Sequence, residues 1–272
     1  MNLVKYLKQK QALIDKKLSN LLPSENSFPP SIHNAMRYCA KGGKRIRPIL
    51  CIASCRICKG KESDALLTAC AIEMIHAYSL IHDDLPCMDN SDYRRGLPSC
   101  HKKFNEAIAV LAGDALMTFG YNTFAGATKD ANINSSIIKE ISKATGTFGM
   151  IGGQVVDIEK HETAIDLPTI EYIDTHKTGA LIAASCKIGS IIAKAPRPQE
   201  EAIYRYGEYI GFAFQIADDI LDNEGFVKIF GIKGAYAKAQ ELIDKAKKQL
   251  SIFRKGKEPL LKLADFVLHR KK

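Results

Sequence analysis

Six aspartates in two short runs carry the spacing most suited to chemistry in this chain. One run is Asp83-Asp84-Leu-Pro-Cys-Met-Asp89, the other Asp218-Asp219-Ile-Leu-Asp222, and each follows a long apolar stretch. Adjacent carboxylates repel, and in apolar surroundings they stay ionised only beside cations or metal. Asp218 and Asp222 are four residues apart, which on a helix separates them by only ~40° of rotation, and Gln215 lies on the same side. Oxygen-only ligands of this kind suit Mg²⁺, which keeps several waters and is shared between carboxylates and substrate phosphates; zinc would want His or Cys. Helix capping is the plainer alternative. It is disfavoured because both runs close helices at their C-terminal ends, where the dipole opposes negative charge.

Three basic runs complement the acids: Gly42-Gly43-Lys44-Arg45-Ile-Arg47-Pro48, Arg94-Arg95-Gly96 and His176-Lys177-Thr178-Gly179. Arginine offers a planar fork to phosphate oxygens, lysine a point charge, and glycine lets backbone N–H groups approach. Each run alone would pass as a surface loop, and none matches the phosphate loop of nucleotide hydrolases.

The elements that must hold these groups are helices. Residues 64–82 are free of Gly and Pro, rich in Ala, Leu and Met, and punctuated by polar residues every three or four. Similar runs cover roughly 4–21, 31–41, 46–58, 104–126, 131–150, 168–194, 199–222 and 235–252. Ser63 or Asp64 is placed to cap the helix that follows, and Thr169 is a second cap candidate. No alternating strand or hairpin pattern is found. About nine helices with short joints and no repeat predict one all-α domain over residues 1–272.

Composition narrows the class. At 272 residues, 46% hydrophobic and 25% charged, the chain is ordinary globular protein with ample core. The longest apolar stretches, such as 179–186, fall short of the ~20 residues of a membrane span. The N-terminus alternates apolar and basic residues without the apolar core of a secretion signal, which points to the cytoplasm. Of the eight cysteines, Cys51, Cys55 and Cys58 fall at helical spacing, but no second ligand pair follows at zinc distance, so they are expected in the core. The net charge of +9 lies wholly in the tail: residues 1–225 hold 26 basic and 26 acidic side chains, 226–272 hold 13 and 4. Lys238, Lys245, Lys248 and Lys255 there read as a solvated helix face, and no motif supports nucleic-acid binding.

Taken together, the motifs resemble the short-chain trans-isoprenyl diphosphate synthases, most closely bacterial and plastid farnesyl and geranylgeranyl diphosphate synthases. The likeness runs from about Ala35 through Asp222. It includes Gly43-Lys44-Arg45-Ile-Arg47-Pro48, His76-Ala-Tyr-Ser-Leu-Ile-His-Asp83-Asp84, Arg94-Arg95-Gly96-Leu-Pro-Ser-Cys-His101, Gly113-Asp114, Gly152-Gly153-Gln154, Lys177-Thr178-Gly179 and Phe214-Gln215. The resemblance implies an isoprenoid-synthase-type helical bundle around a deep central cavity, a homodimer, and two aspartate motifs facing each other across the cavity mouth. It implies a cluster of roughly three Mg²⁺ ions held by Asp83, Asp84, Asp89, Asp218 and Asp222 on an allylic diphosphate, with Asp219 among the catalytic acids. Arg94 and Lys177 would bind the same diphosphate, with Thr178 and Gln215 nearby. Gly43, Lys44, Arg47, His76 and Arg95 would hold isopentenyl diphosphate. Tyr78, with Ser79, stands where an aromatic ring limits product length and favours farnesyl diphosphate over geranylgeranyl diphosphate. His82 and His101 are expected to be structural, and Asp114 to order neighbouring backbone.

One departure stands out. Relatives continue after the second acidic run through a glycine-containing loop to a Lys-Thr-Tyr-Pro or Lys-Ser-Tyr-Pro segment, whereas this chain passes from Asp222-Asn-Glu-Gly-Phe directly to Val-Lys-Ile-Phe-Gly. About twenty residues are absent by the family pattern. Either a mobile lid is left out of the printed sequence, or the deletion is genuine with Lys228 or Lys233 substituting, or the chain is a non-catalytic regulatory subunit. A terpene cyclase is a further alternative, disfavoured by the presence of Lys44, Arg47 and Arg95.

Overall fold

The computed structural model describes residues 1–160 and 166–269. Its backbone divides into two compact units. The first comprises Val4–Ile49 and Leu66–Asn134; the second comprises Met1–Leu3, Leu50–Ala65 and Ser135–Lys272.

The first unit contains α1 (Leu3–Leu21) from its second residue, α2 (Pro30–Ala40), the start of α3 (Ile46–Ile57), most of α4 (Glu62–Asp83), α5 (Cys100–Lys103), α6 (Glu106–Ala125) and the start of α7 (Ala131–Thr145). Alpha-helix α1 is amphipathic and buries Ile14 and Leu18, and α4 contributes Cys70, Ile72, Met74 and Ile75 to the same core. Side chains of this size stabilise by roughly 1.5–3 kcal/mol each when fully buried. At the start of α6, the Asn105 side chain accepts from the Ile108 N–H at 2.8 Å, satisfying a donor the helix cannot. By length and composition α4 could cross a membrane, but 67% of its apolar window is buried inside the protein, and it carries the buried carboxylate of Glu73. It is a core helix, as the periodicity predicts.

The absence of hairpins is corrected by a short antiparallel ribbon, β1 (Tyr93–Arg94) with β2 (Leu97–Pro98). Its turn is Arg95-Gly96, both left-handed (φ 56° and 75°), the geometry of a tight hairpin turn. Two residues per strand leave too short an alternation to read from sequence.

The second unit holds the rest of α3 and α7, α8 (Met150–Lys160), α9 (Leu167–Ile173), a π-helical turn (Asp174–Gly179), α10 (Ala180–Ile192), α11 (Arg197–Asp222), α12 (Phe226–Gln249) and α13 (Glu258–His269). Ile182, Ile203, Tyr206, Ile216 and Phe226 fill its core, and the Tyr206 hydroxyl donates to the Leu260 carbonyl at 2.7 Å. Helices α8 and α13 are additional to the expected set. The run expected to reach residue 150 ends at Thr145, where the Gly146 and Gly149 N–H groups turn back on the carbonyls of Ser142 and Gly146. The N-cap of α9 is Asp166, not Thr169: its carboxylate accepts from the Thr169 N–H at 3.0 Å. Helix α12 starts at Phe226, well before residue 235, and bends at Gly231 (φ 68°). Lys238, Lys245 and Lys248 lie on α12, with Lys245 paired to Glu241 at 2.5 Å, whereas Lys255 lies in the bend before α13 and so is not part of the expected helix face. Cys51, Cys55 and Cys58 are buried, and burial raises the Cys55 and Cys58 thiols to about 11 and about 12.

Candidate active site

In the first unit, the chain leaving α4 turns back on its own C-terminus. The Asp89 N–H donates to the Asp83 carbonyl at 2.9 Å, and Ser91 N–H to the Asp84 carbonyl at 3.1 Å. The turn satisfies carbonyls left open at the helix end and brings Asp89 back to Asp83. Asp83 is half-buried and Asp89 exposed, whereas Asp84 is buried. Both Asp84 oxygens accept from the Arg94 Nε (2.9 and 3.2 Å), and one also accepts from its Nη2. This fork fixes Arg94 and offsets the negative charge that the helix dipole disfavours.

The β1–β2 turn sends Arg95 the other way. Its Nη1 donates to the carbonyls of Lys41 and Gly42 at 3.0 and 3.1 Å. A Cβ on Gly43 would lie 2.7 Å from the Arg95 Cζ, so glycine (φ 92°) is required for the guanidinium to lie against this loop. Lys44 is exposed on the loop, and Arg47 follows on the first turn of α3 with its Nη1 3.3 Å from the His76 Nε2. Burial and the surrounding arginines, Arg47 and Arg95 foremost, push His76 well below its ordinary range. It is therefore neutral and accepts from Arg47.

Tyr78 is buried on α4, edge-on to His82 at 5.9 Å, and burial near Tyr121 raises its hydroxyl to about 12. The Ser79 hydroxyl is turned inward to the His76 carbonyl at 2.9 Å. The His82 Nε2 lies 3.0 Å from the Val110 carbonyl and 3.8 Å from Asp114, and the His101 Nδ1 lies 3.1 Å from the Ser99 hydroxyl. A separate cavity of about 690 Å³ in this unit, bordered by Asp15, Arg37, Lys41 and Phe104, is lined by none of the predicted metal-binding aspartates.

In the second unit, the π-helical turn presents Lys177 and Thr178. Lys177 Nζ donates to Asp157 of α8 at 2.7 Å. A Cβ on Gly153 would fall 2.2 Å from the Lys177 backbone nitrogen, so the glycine lets α8 approach this turn. The Thr178 hydroxyl donates to Gln215 Oε1 at 2.9 Å, and Gln215 Nε2 donates to Asp219 at 3.3 Å. Asp219 is buried and also accepts the Phe226 N–H at 2.8 Å, which caps α12. Burial raises its pKa against the pull of these hydrogen bonds. Asp218 is half-buried and Asp222 exposed. Asp174, the buried first residue of the turn, is raised to about 8 by burial first and then by Asp219, Asp157 and Glu171.

Sequence reasoning missed Asp157, Asp174 and Glu73. Glu73 had a visible signal, since it is the one Asp, Glu, Lys or Arg among positions 65–82. The other two gave none, because their importance depends on a π-helical turn.

Among the described residues, no group of three Asp, Glu, His or Cys side chains closes on a metal position. Taken unit by unit, the chemistry of the donors suits a hard cation such as Mg²⁺. Asp83, Asp89, Asp218 and Asp222 are oxygen donors at least partly open to solvent, and a hard ion takes its remaining ligands from water and a diphosphate.

A sequence profile described as polyprenyl synthetase matches residues 29–235. The chain is 37% identical to a geranylgeranyl diphosphate synthase of Cyanophora paradoxa over 292 residues, covering 99% of this chain and 97% of the relative. It is 38% identical to a dimethylallyltranstransferase of Fischerella ambigua, covering 99% and 84%. The crystal structure of an FPP/GFPP synthase from Zymomonas mobilis superposes with a TM-score of 0.94 at 37% identity, covering 98% of this chain and 99% of that one. With likeness along nearly the whole sequence, the chain belongs to the polyprenyl synthetase family and is a trans-prenyltransferase.

Proposed function

We propose that the chain joins isopentenyl diphosphate to dimethylallyl and geranyl diphosphate, giving farnesyl diphosphate and releasing diphosphate in a Mg²⁺-dependent reaction. The observation that carries this reading is the charge arrangement of the first unit. Asp84 holds Arg94, while Arg95 is held against the loop bearing Lys44, so one tight turn aims two guanidinium groups at different anions.

Asp83, Asp89, Asp218 and Asp222 would hold the Mg²⁺ ions, with Asp84 and Asp219 orienting their neighbours. When bound, Mg²⁺ supplies positive charge that stabilises the departing diphosphate. Arg94 and Lys177 donate to the oxygens of the allylic diphosphate. Lys44, Arg47, Arg95 and neutral His76 hold the second diphosphate, which places the alkene of isopentenyl diphosphate for attack on the allylic carbocation. No protein nucleophile is needed, and the released diphosphate takes up the proton lost from the product. Tyr78 is buried, and by the resemblance its ring would limit the chain, which favours farnesyl diphosphate as the end point.

Geranylgeranyl diphosphate is the second reading, favoured by the name of the Cyanophora relative. That match spans 292 positions against the 272 residues here, which supports the reading that a segment present in relatives is missing from this sequence. A second copy of the chain is the proposed partner. Ile151, Val155 and Ile158 form an exposed apolar row on α8, and Val110 and Leu111 are exposed on α6.

The test is incubation of purified protein with Mg²⁺, isopentenyl diphosphate and dimethylallyl or geranyl diphosphate, followed by sizing of the products. Farnesyl diphosphate supports the first reading and geranylgeranyl diphosphate the second. Inactivity relieved only by an added synthase would make the chain a regulatory subunit.

A further inference from the structure

Glu73 lies one helical turn before His76 on α4 and is buried, its side chain only 2% exposed. A carboxylate survives there only if it is paired. Its Oε1 accepts from the Arg45 Nη1 at 2.5 Å and lies 3.8 Å from the Arg95 Nη2. Arg45 is itself enclosed. Its Nε donates to Asp15 at 2.8 Å, its Nη2 to the Ala40 carbonyl at 2.6 Å, and its backbone is left-handed (φ 54°), which a non-glycine residue adopts only when held.

This geometry clamps the loop from two sides. Arg45 fixes the point where the chain reverses between Lys44 and Arg47, and Arg95 bonds the loop carbonyls of Lys41 and Gly42. Arg45 is fully committed to the clamp. Arg95, 25% exposed and more loosely paired, stays available to a ligand. Arg47 lies 3.3 Å from His76, and the charges of Arg95, Arg45 and Arg94 also act on that ring. Asp84 offsets Arg94, and Glu73 is the carboxylate placed between Arg45 and Arg95.

We infer that Glu73 is a positioning residue for diphosphate binding: by neutralising Arg45 and loosely tethering Arg95, it presets Lys44, Arg47 and Arg95 for the diphosphate of the isopentenyl substrate. The inference rests on the prenyl-transfer reading for the identity of that anion. The clamp itself is independent of it.

The test compares Glu73→Gln, which keeps shape and loses charge, with Glu73→Asp, which keeps charge and shortens reach. Glu73→Gln should raise KM for isopentenyl diphosphate about tenfold, the loss expected for one charged hydrogen bond, with kcat and the allylic KM within about twofold. Glu73→Asp should restore part of the loss. In parallel, metal-free protein is titrated calorimetrically with inorganic pyrophosphate, and Glu73→Gln should bind about tenfold more weakly. Unchanged pyrophosphate affinity, or a loss confined to kcat, would overturn the inference. If Glu73→Gln does not fold, Arg45→Met/Glu73→Leu replaces the pair with apolar groups; normal pyrophosphate affinity in that folded variant overturns the inference, and weakened affinity supports it. Wild-type protein that binds pyrophosphate but elongates nothing would sink the prenyl-transfer reading and leave the role of Glu73 to the titration.

Discussion

Asp174→Asn should stabilise the protein, by an amount that grows with pH. Asp174 is the buried first residue of the π-helical turn, with one carboxyl oxygen that lacks a hydrogen-bond partner, and is lifted from its ordinary 3.8 to about 8 by burial and then by Asp219, Asp157 and Glu171. In the unfolded chain it releases its proton near 3.8, whereas in the folded chain it keeps it to about 8. Between these values the folded state binds more protons, so its contribution to stability is fully present below the lower value and is lost as pH rises to the upper. Each tenfold change in proton affinity is about 1.4 kcal/mol, so the full interval amounts to about 6 kcal/mol and about half of that is lost by pH 6. Asparagine has the same shape and cannot ionise. Relaxation of the turn will reduce the figure, so a gain of about 2–4 kcal/mol at pH 8 is expected, shrinking toward zero at pH 4. Urea unfolding of both proteins with EDTA at each pH unit from 4 to 9 measures the gap. A gap independent of pH, or one that narrows toward pH 8, would refute the reasoning.

Asp83→Ala and Asp218→Ala should each abolish elongation in a product-sizing assay while the circular dichroism spectrum stays native, because each removes a proposed Mg²⁺ ligand and relieves like-charge repulsion. Full turnover in both variants would contradict the assignment. Asp84→Asn should cost about 1–3 kcal/mol in urea unfolding and raise the KM of the allylic diphosphate, since Arg94 loses its charged partner. Gly153→Ala should destabilise by about 1–3 kcal/mol, because its methyl group would meet the Lys177 backbone and displace the turn. Tyr78→Ala should shift the products toward longer chains in chromatographic analysis, and an unchanged distribution would remove Tyr78 as the length limit.

Much of the architecture was legible because local rules agree with it. Ala, Leu and Ile recurring at helical spacing predicted α1, α4, α6 and α11, and the acidic runs were visible as charge at the ends of apolar stretches. What escaped were the elements whose form depends on distant partners. The two-residue strands carry no period, yet their turn sends Arg94 to Asp84 and Arg95 to the glycine loop. Helix α12 begins at Phe226 because Asp219, seven residues earlier, accepts its N–H.

Residue type and spacing alone therefore pointed to the chemistry proposed, oxygen donors suited to a hard cation and cations suited to phosphate, since charge and periodicity are properties of the chain itself. Tertiary structure decided how the acids divide. Asp84 and Asp219 look equivalent to their neighbours in sequence, but burial commits them to Arg94 and to the Phe226 N–H, while Asp83, Asp89, Asp218 and Asp222 keep access to solvent. The physical reason is desolvation: a buried carboxylate must be matched by donors inside the fold, and only the packed structure shows which ones are matched.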